Sequence, residues 1–435
     1  MNVSAFLRAQ VAGGRTEVAN LLSHTLFRAA AGTAGVNIAI MLAGSIGGLL
    51  LARALGPTQR GDLVTILQWP ATIGALASFG ITQSTVYWVS GSRNRSVPVM
   101  STAVAASLVT GLLIAALSPW IAGLIARNSE VRTDLAIVLA LTPIYITGGV
   151  WAAALQATSI SRWNLTRSLQ PILYLVSVLV LWGLGRLTLI TVVGAFAVSL
   201  VAQTLYAAVE ARRTIGPHSR PEATLLAPLY SYGAKVWLAS VPQLVTINVD
   251  QLILSVMPAV AAAQLGNYVV AVSLSWLALP AATAFGSVAF PRIAASPGAG
   301  STTRIERDSL IGAGATAGLT VGVICVLAPA VVPTLFGPGY HDAIFALWLL
   351  APGTVFLALN RVLGDVLQGH GKPLIRSAGE AFGAALTLVL LFALIPTYGI
   401  RGAAITSSIA YAAVFVFLLV ALVRARGAMA SRTQC

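Results

Sequence analysis

Runs of about twenty apolar residues recur twelve times along this chain, with short polar links between them. That is the length a helix needs to cross the hydrocarbon core of a bilayer. The runs lie near 29–52, 63–89, 98–126, 135–157, 171–185, 188–209, 233–257, 266–290, 310–336, 344–368, 374–395 and 402–423. Lipid leaves every backbone N–H and C=O to be satisfied within the segment, so the pattern predicts an all-α, polytopic membrane protein. The fifth run is short, and the Gly185-Arg186 break after it is tight. Composition closes off other classes. The chain is 57% hydrophobic and 9% charged, whereas soluble domains carry about 25% charged residues. A soluble enzyme, a disordered protein and a DNA-binding domain would each need far more polar surface. Cys325 lies in an apolar run and Cys435 is the last residue, which suggests neither a disulfide framework nor a metal site.

A net charge of +14 would point to nucleic acid on a soluble protein. On a membrane protein it has another cause, because cytoplasmic loops collect Lys and Arg. With the N-terminus placed in the cytoplasm, 19 of the 26 basic residues fall on that side. Six fall on the other side, and Arg361 lies inside a run. Both termini are therefore expected in the cytoplasm. The segment up to Phe27 has no long apolar run. Phe6, Val11, Val18, Leu22 and Leu26 instead suggest a helix lying on the bilayer surface rather than a cleavable signal peptide.

Two blocks repeat. Gln59-Arg-Gly-Asp62 opens the second run and Gln264-Leu-Gly-Asn267 the eighth. Leu155-Gln156 followed by Arg167-Ser168 matches Leu367-Gln368 followed by Arg376-Ser377. Asp134 then Pro143 is echoed by Asp342 then Pro352. The matches fall at equivalent run boundaries and predict two six-helix lobes of the same orientation around a central cavity. The expected divisions are an N-terminal segment 1–28, a first lobe 29–213, a linker 214–227, a second lobe 228–423 and a tail 424–435.

Polar residues within the runs are the candidate site, since charge in hydrocarbon is costly. Arg361 and Asp365 lie one turn apart in the tenth run, Arg376 and Glu380 in the eleventh, with Lys372 between. They read either as two i,i+4 salt bridges or as a basic mouth for an anionic head group, whose phosphate oxygens the guanidinium fork can hold in pairs. Asp250, in the seventh run, has no opposite charge within a turn. It is protonated, paired across helices, or part of a cation site. Arg28 and Arg53 flank the first run, either snorkelling to the interface or facing the space between lobes. Gln68, Gln83, Gln156, Gln203, Gln243 and Asn360 either line a wet path for sugar hydroxyls or bond helix to helix. There is no His/Glu zinc motif, no nucleophile with a base and no Gly-rich phosphate loop. No outer link is long enough for an external catalytic domain.

Several segments resemble one family. Leu51-Ala-Arg-Ala-Leu-Gly-Pro57, then Gly61 and Ser78-Phe-Gly80, is similar to the start of the bacterial polysaccharide-exporter flippases, the Wzx-type oligosaccharide translocases. Val249-Asp-Gln-Leu-Ile-Leu254, Leu265-Gly-Asn-Tyr-Val-Val-Ala271 and Phe290-Pro-Arg-Ile293 resemble their seventh and eighth spans. The fullest block runs from Leu367-Gln-Gly-His-Gly-Lys-Pro373 to Ile395-Pro-Thr-Tyr-Gly-Ile-Arg-Gly-Ala-Ala404.

The resemblance implies a plasma-membrane flippase. It would move undecaprenyl-diphosphate-linked oligosaccharide to the outer leaflet by alternating access, for surface polysaccharide. Polysaccharide polymerase and glycosyltransferases would be partners, with no nucleic acid. Of the polar residues read above, Arg28, Arg53, Arg361, Arg376, Gln68 and Asn360 are the candidates for its substrate path. Related lipid II flippases bind sodium between spans seven, eleven and twelve. Asp250 matches the ligand on span seven, and Thr387 and Leu391 stand at the ligand positions on span eleven. Leu391 cannot ligate, so the coupling cation, sodium or proton, stays open. Two rivals remain. A small-molecule antiporter of the same fold would use the acids Asp250, Asp365 and Glu380. A membrane-embedded polymerase or glycosyltransferase would need larger outer loops. A reporter that fluoresces only in the cytoplasm, fused after Cys435, is expected to fluoresce. Signal only from a reporter active outside would reverse the orientation.

Overall fold

The computed structural model describes the backbone of residues 3–91, 93–217, 219–294 and 299–432. Side chains are described within 32–424, apart from 92–93, 218, 291 and 294–301. Among the described residues the regular structure is helical throughout. The helices are α1 (Val3–Ala77), α2 (Ile81–Gly91), α3 (Ser96–Ile125), α4 (Ser129–Ala140), α5 (Thr142–Thr158), α6 (Ile160–Gly183) and α7 (Leu189–Ile215). After the linker come α8 (Leu226–Val256), α9 (Ala262–Trp276), α10 (Leu279–Ala294), α11 (Ala299–Leu335), α12 (His341–Gly369) and α13 (Pro373–Arg432).

Among the described residues nine stretches are long and apolar enough to cross a membrane, with α4 and α5 together making one and α13 making two, or ten if α9 and α10, bent by 44°, count as one span. The twelve sequence runs map onto them with explicable differences. The stretch Gly32–Ala77 counts once although it has 46 residues. At about 1.5 Å per residue that is roughly twice the bilayer core. It turns at Gly56, whose φ of 74° and ψ of 174° lie outside the helical region, and so holds the first two runs. Gly399 (φ 54°) divides α13 in the same way. The seventh run, α8, is long enough but carries Lys235, Gln243, Asn248, Asp250 and Gln251, too many polar groups to qualify by composition. The helix of the fifth run is longer than its apolar stretch. It begins at Ile160, with Pro171 inside it rather than at its start. Its polar first turns are held by neighbours: Asn164 donates to Thr33 Oγ1 at 2.9 Å, and Arg167 donates to Asn37. The surface-helix residues Phe6 to Leu26 have side chains outside the described residues.

Short links are closed by local caps. Asn128 accepts the Val131 N–H at 2.8 Å and starts α4, and Thr188 with Thr191 forms a capping box on α7. The apolar cores follow the halves of the chain. Leu51, Leu63, Ile66, Leu135, Leu139 and Val192 share one. Leu357, Val362, Leu363, Tyr411, Val414 and Leu418 share another. Ala52 and Val64 join a third with Leu265, Tyr268, Val332 and Leu391, and this is the seam between halves. The linker is docked rather than free. The N–H groups of Ser219 and Glu222 donate to the hydroxyls of Ser101 and Thr102. Leu225 and Leu229 pack with Ile81, Val89 and Val99 of the first half.

The internal repeat has a counterpart in packing. Thr204 Oγ1 on α7 donates to Ile144 O, and its hydroxyl lies 2.5 Å from where a Cβ on Gly148 would stand. Ser408 Oγ on α13 donates to Leu349 O and lies 2.6 Å from the equivalent point on Gly353. The same glycine-and-hydroxyl contact thus recurs about 205 residues later. In this register Pro143 precedes its glycine by five positions and Pro352 by one, so the proline echo is not structurally equivalent. The repeated motifs Gln59-Arg-Gly-Asp62 and Gln264-Leu-Gly-Asn267 face each other. A Cβ on Gly61 would overlap the Ala262 carbonyl, and one on Gly266 the Pro57 carbonyl. Gly148→Val and Gly353→Val are each expected to lower stability by about 1–3 kcal/mol through overpacking. Thermal unfolding in detergent should show two losses of similar size.

Candidate functional site

The face carrying most of the basic residues is called the basic face below, and its opposite the far face. Between them, span two is interrupted. α1 ends at Ala77 and α2 begins at Ile81, with Phe79 (φ 43°) and Gly80 (φ 69°) both left-handed. Such a conformation is strained for a phenylalanine. It lets the Gly80 backbone lie against Gly233 of α8, where neither residue has room for a Cβ. Nearby, Phe79 packs on Trp237 at 5.3 Å between ring centroids, and Tyr87 stacks on Tyr232 at 4.2 Å. Toward the far face, Gln68 donates to Asn248 at 2.9 Å and Trp69 Nε1 to Ser255 Oγ at 2.8 Å. Spans two and seven therefore touch on both sides of the break.

A cavity of about 640 Å³ opens beside this break. Its amide side chains are Gln83 of α2, Gln170 of α6, Gln203 of α7, and Gln243 and Asn248 of α8. Ser78, Thr82 and Ser240 add hydroxyls, and Tyr145 and Trp237 aromatic walls. Among the described residues no charged side chain lines it. Among the described residues, none of the four glutamines makes a side-chain hydrogen bond to the protein. Gln203 Oε1 and Trp237 Nε1 are buried without partners. Unbonded amides in hydrocarbon cost several kcal/mol, so these groups are arranged for water or a polar ligand.

The far face is held by arginines that cap helices of the other half. Arg127, just beyond α3, donates to Ser255 O at 2.7 Å, to Leu254 O at 2.5 Å, to Met257 O at 3.3 Å and to Val260 O. These are carbonyls at and just beyond the C-terminus of α8, which have no intrahelical partner and carry the negative end of the helix dipole. Arg53 Nη1 does the same for α11, through Thr334 O at 2.5 Å and Leu335 O at 3.2 Å. Tyr340 adds a bond to Ala52 O at 2.9 Å.

A second polar cluster lies within the second half. Asp250 is 5% exposed. Its Oδ2 accepts from Tyr268 OH at 2.5 Å and its Oδ1 from Gln251 N at 2.7 Å. Tyr411 OH donates to Thr246 O at 3.2 Å. Thr246 lies 3.9 Å from a Cβ built on Gly383, and Val249 and Leu254 share a core with Leu388 and Leu391. These contacts set the first part of α13 beside α8. Thr387 and Thr406 hydroxyls are buried and unbonded.

The remaining sequence candidates fall elsewhere. Asn360 donates to Tyr411 O at 2.9 Å, so it and Gln68 bond helix to helix. The two i,i+4 salt bridges are not formed. Arg376 instead reaches across to Asp365 at 3.1 Å, and no ion pair closes on Arg361 or Glu380 among the described residues. The side chain of α12 at 365 faces α13 at 376, a rotation that spacing within one helix does not reveal. Arg361 Nε is buried without a partner. The side chain of Arg28 lies outside the described residues. Gln170 was not singled out in the sequence. Its place one turn beyond the polar Arg162–Arg167 stretch of α6 is the signal that could have found it.

The sequence profile of the family described as polysaccharide biosynthesis protein matches residues 26–296. The chain belongs to that family. An uncharacterized membrane protein of Methanocaldococcus jannaschii, MJ1068, is 36% identical over 87 residues, 20% of this chain and 17% of the relative. That match spans well under a fifth of the relative's length. The fold is similar to that of a lipid II flippase, MurJ, in an inward closed conformation. The TM-score is 0.76 at 13% identity, covering 90% of this chain and 87% of that one. It is also similar to an inward-facing multidrug resistance MATE family transporter of the MOP superfamily. There the TM-score is 0.69 at 19% identity, covering 92% and 99%. This family member is thus a multi-pass membrane protein with a transporter fold. Arg127→Gln should free the α8 carbonyls and loosen the far face by about 1–3 kcal/mol. A cysteine placed in the cavity by Ser240→Cys, with Cys325 and Cys435 replaced, should then react about 5–150-fold faster with an impermeant maleimide added from that face.

Proposed function

We propose that the chain is a flippase for lipid-linked oligosaccharide, carrying an undecaprenyl-diphosphate glycan from the cytoplasmic to the outer leaflet of the plasma membrane for surface polysaccharide. The observation that carries this reading is the cavity beside the broken span two, lined by four glutamines whose side chains bond nothing in the protein among the described residues. Sugar hydroxyls both donate and accept, and so do amides. The membership in a polysaccharide biosynthesis family supports the substrate class. Among the described residues the lining has no carboxylate to hold a cationic drug, and Asp250 is engaged by Tyr268 and Gln251. Both facts favour the glycan over the antiporter reading.

In this mechanism the halves on either side of the linker 214–227 rock as lobes, with the basic face and both termini in the cytoplasm. Opening outward breaks the caps of Arg53 and Arg127 and the contact of Gly61 with Gly266. Opening inward separates Gly80 from Gly233. A transporter needs these two states to be close in free energy. Asp250 is the coupling group. A sodium shell is poorly supplied, because both carboxylate oxygens are already bonded and Leu391 offers no oxygen. A proton exchanged at the Asp250–Tyr268 pair suits the residues better. Asp250→Asn should abolish gradient-driven transport while leaving downhill exchange, measured in vesicles with and without a pH difference.

Deletion of the gene tests the reading directly. The expected result is lipid-linked glycan accumulating on the cytoplasmic leaflet, with loss of surface polysaccharide. Unchanged pools on both leaflets, with new sensitivity to cationic drugs, would overturn it in favour of antiport.

A further inference from the structure

A diphosphate is anionic, yet among the described residues the cavity that would receive the cargo has no charge in its lining. The cation on α6 that precedes it is engaged elsewhere. Arg167, one turn before Gln170, donates to Asn37 and stacks over Trp163 at 4.5 Å. The lining instead converges amides from four helices, Gln83, Gln170, Gln203, Gln243 and Asn248, on one space with Trp237 as a wall. Its volume of about 640 Å³ falls within the roughly 300–1,000 Å³ of sites that enclose a small ligand.

Resting on the flippase reading, we propose that this cavity is a sugar subsite that selects uncharged glycans, neutral hexoses and N-acetylated amino sugars, and rejects acidic sugars such as uronates. The diphosphate is held outside it. The argument is one of satisfied and unsatisfied groups. A neutral sugar offers hydroxyls and acetamido groups that can pair with both ends of each amide. The buried Gln203 oxygen and Trp237 N–H, which lack partners, gain them. A carboxylate accepts only. It would face the glutamine carbonyl oxygens without a countercharge, in a setting where an unpaired ion is costly. Sites built to hydrogen-bond a group discriminate strongly against cargo that leaves their polar atoms unpaired.

The test uses the purified full chain in lipid vesicles. Two cargoes share one polyprenyl-diphosphate, one bearing a neutral N-acetylated disaccharide and the other ending in a uronate. The neutral cargo is expected to cross at least about tenfold faster. Gln203→Leu should slow it by about two- to tenfold. Gln203→Arg should raise the uronate rate relative to the neutral one, a gain that misfolding cannot mimic, and Gln243→Arg is the second variant. Equal rates, or a faster uronate, in the unaltered protein would overturn the selectivity. If neither cargo crosses, the flippase reading fails, and binding decides the subsite separately. Quenching of tryptophan fluorescence by the free neutral disaccharide, lost in Trp237→Phe and absent with the uronate, supports it. Equal quenching by both sugars, or none by either, rejects it.

Discussion

A polar side chain in hydrocarbon needs a partner, and this protein is organised by which of its amides have one. Gln68 and Asn360 bond across helices and hold them together. Gln83, Gln170, Gln203 and Gln243 bond nothing in the protein and face one cavity. The first pair is architecture, and the second set is the surface on which the proposed cargo binding rests. The break at Phe79 and Gly80 belongs to the same design, since a continuous helix would close the space beside it.

The two faces of the seam are held by different forces. On the basic side the contact is backbone on backbone at Gly80 and Gly233, with aromatic rings stacked beyond it. On the far side glycine again allows close approach, at Gly61 and Gly266, and arginines from one half cap helix ends of the other. A guanidinium on exposed helix carbonyls is a directional bond that water can replace. That suits the reversible closure the proposed mechanism requires. The interior of each half is different, with apolar cores and close glycine-and-hydroxyl contacts at Gly148 and Gly353.

Much of this was legible in the sequence. Apolar runs gave the spans, because length and composition suffice in lipid. The repeated Gln-X-Gly motif pointed to the pair of glycines that meet at the seam. The glutamines were visible as candidates, but which of them bond a helix depends on helix rotation, which a single chain without its neighbours does not disclose. The same ignorance of rotation made Arg361–Asp365 and Arg376–Glu380 look like pairs, when the bridge runs from Arg376 to Asp365. The polar start of α6 was missed because its helix is stabilised by Thr33 and Asn37, over a hundred residues away. Arg53 was read as a substrate contact or a snorkel. Its actual partners, the carbonyls of Thr334 and Leu335, lie in the other half of the chain.

The central claim is that the free amides, and not the bonded ones, meet the cargo. The most direct measurement is photocrosslinking from single positions in cells that make the lipid-linked glycan. A photoreactive residue at Gln203 or Gln243 should capture glycan, and one at Asn360 should not. Capture only near Arg361 and Arg376, with none from the glutamine cavity, would contradict the account.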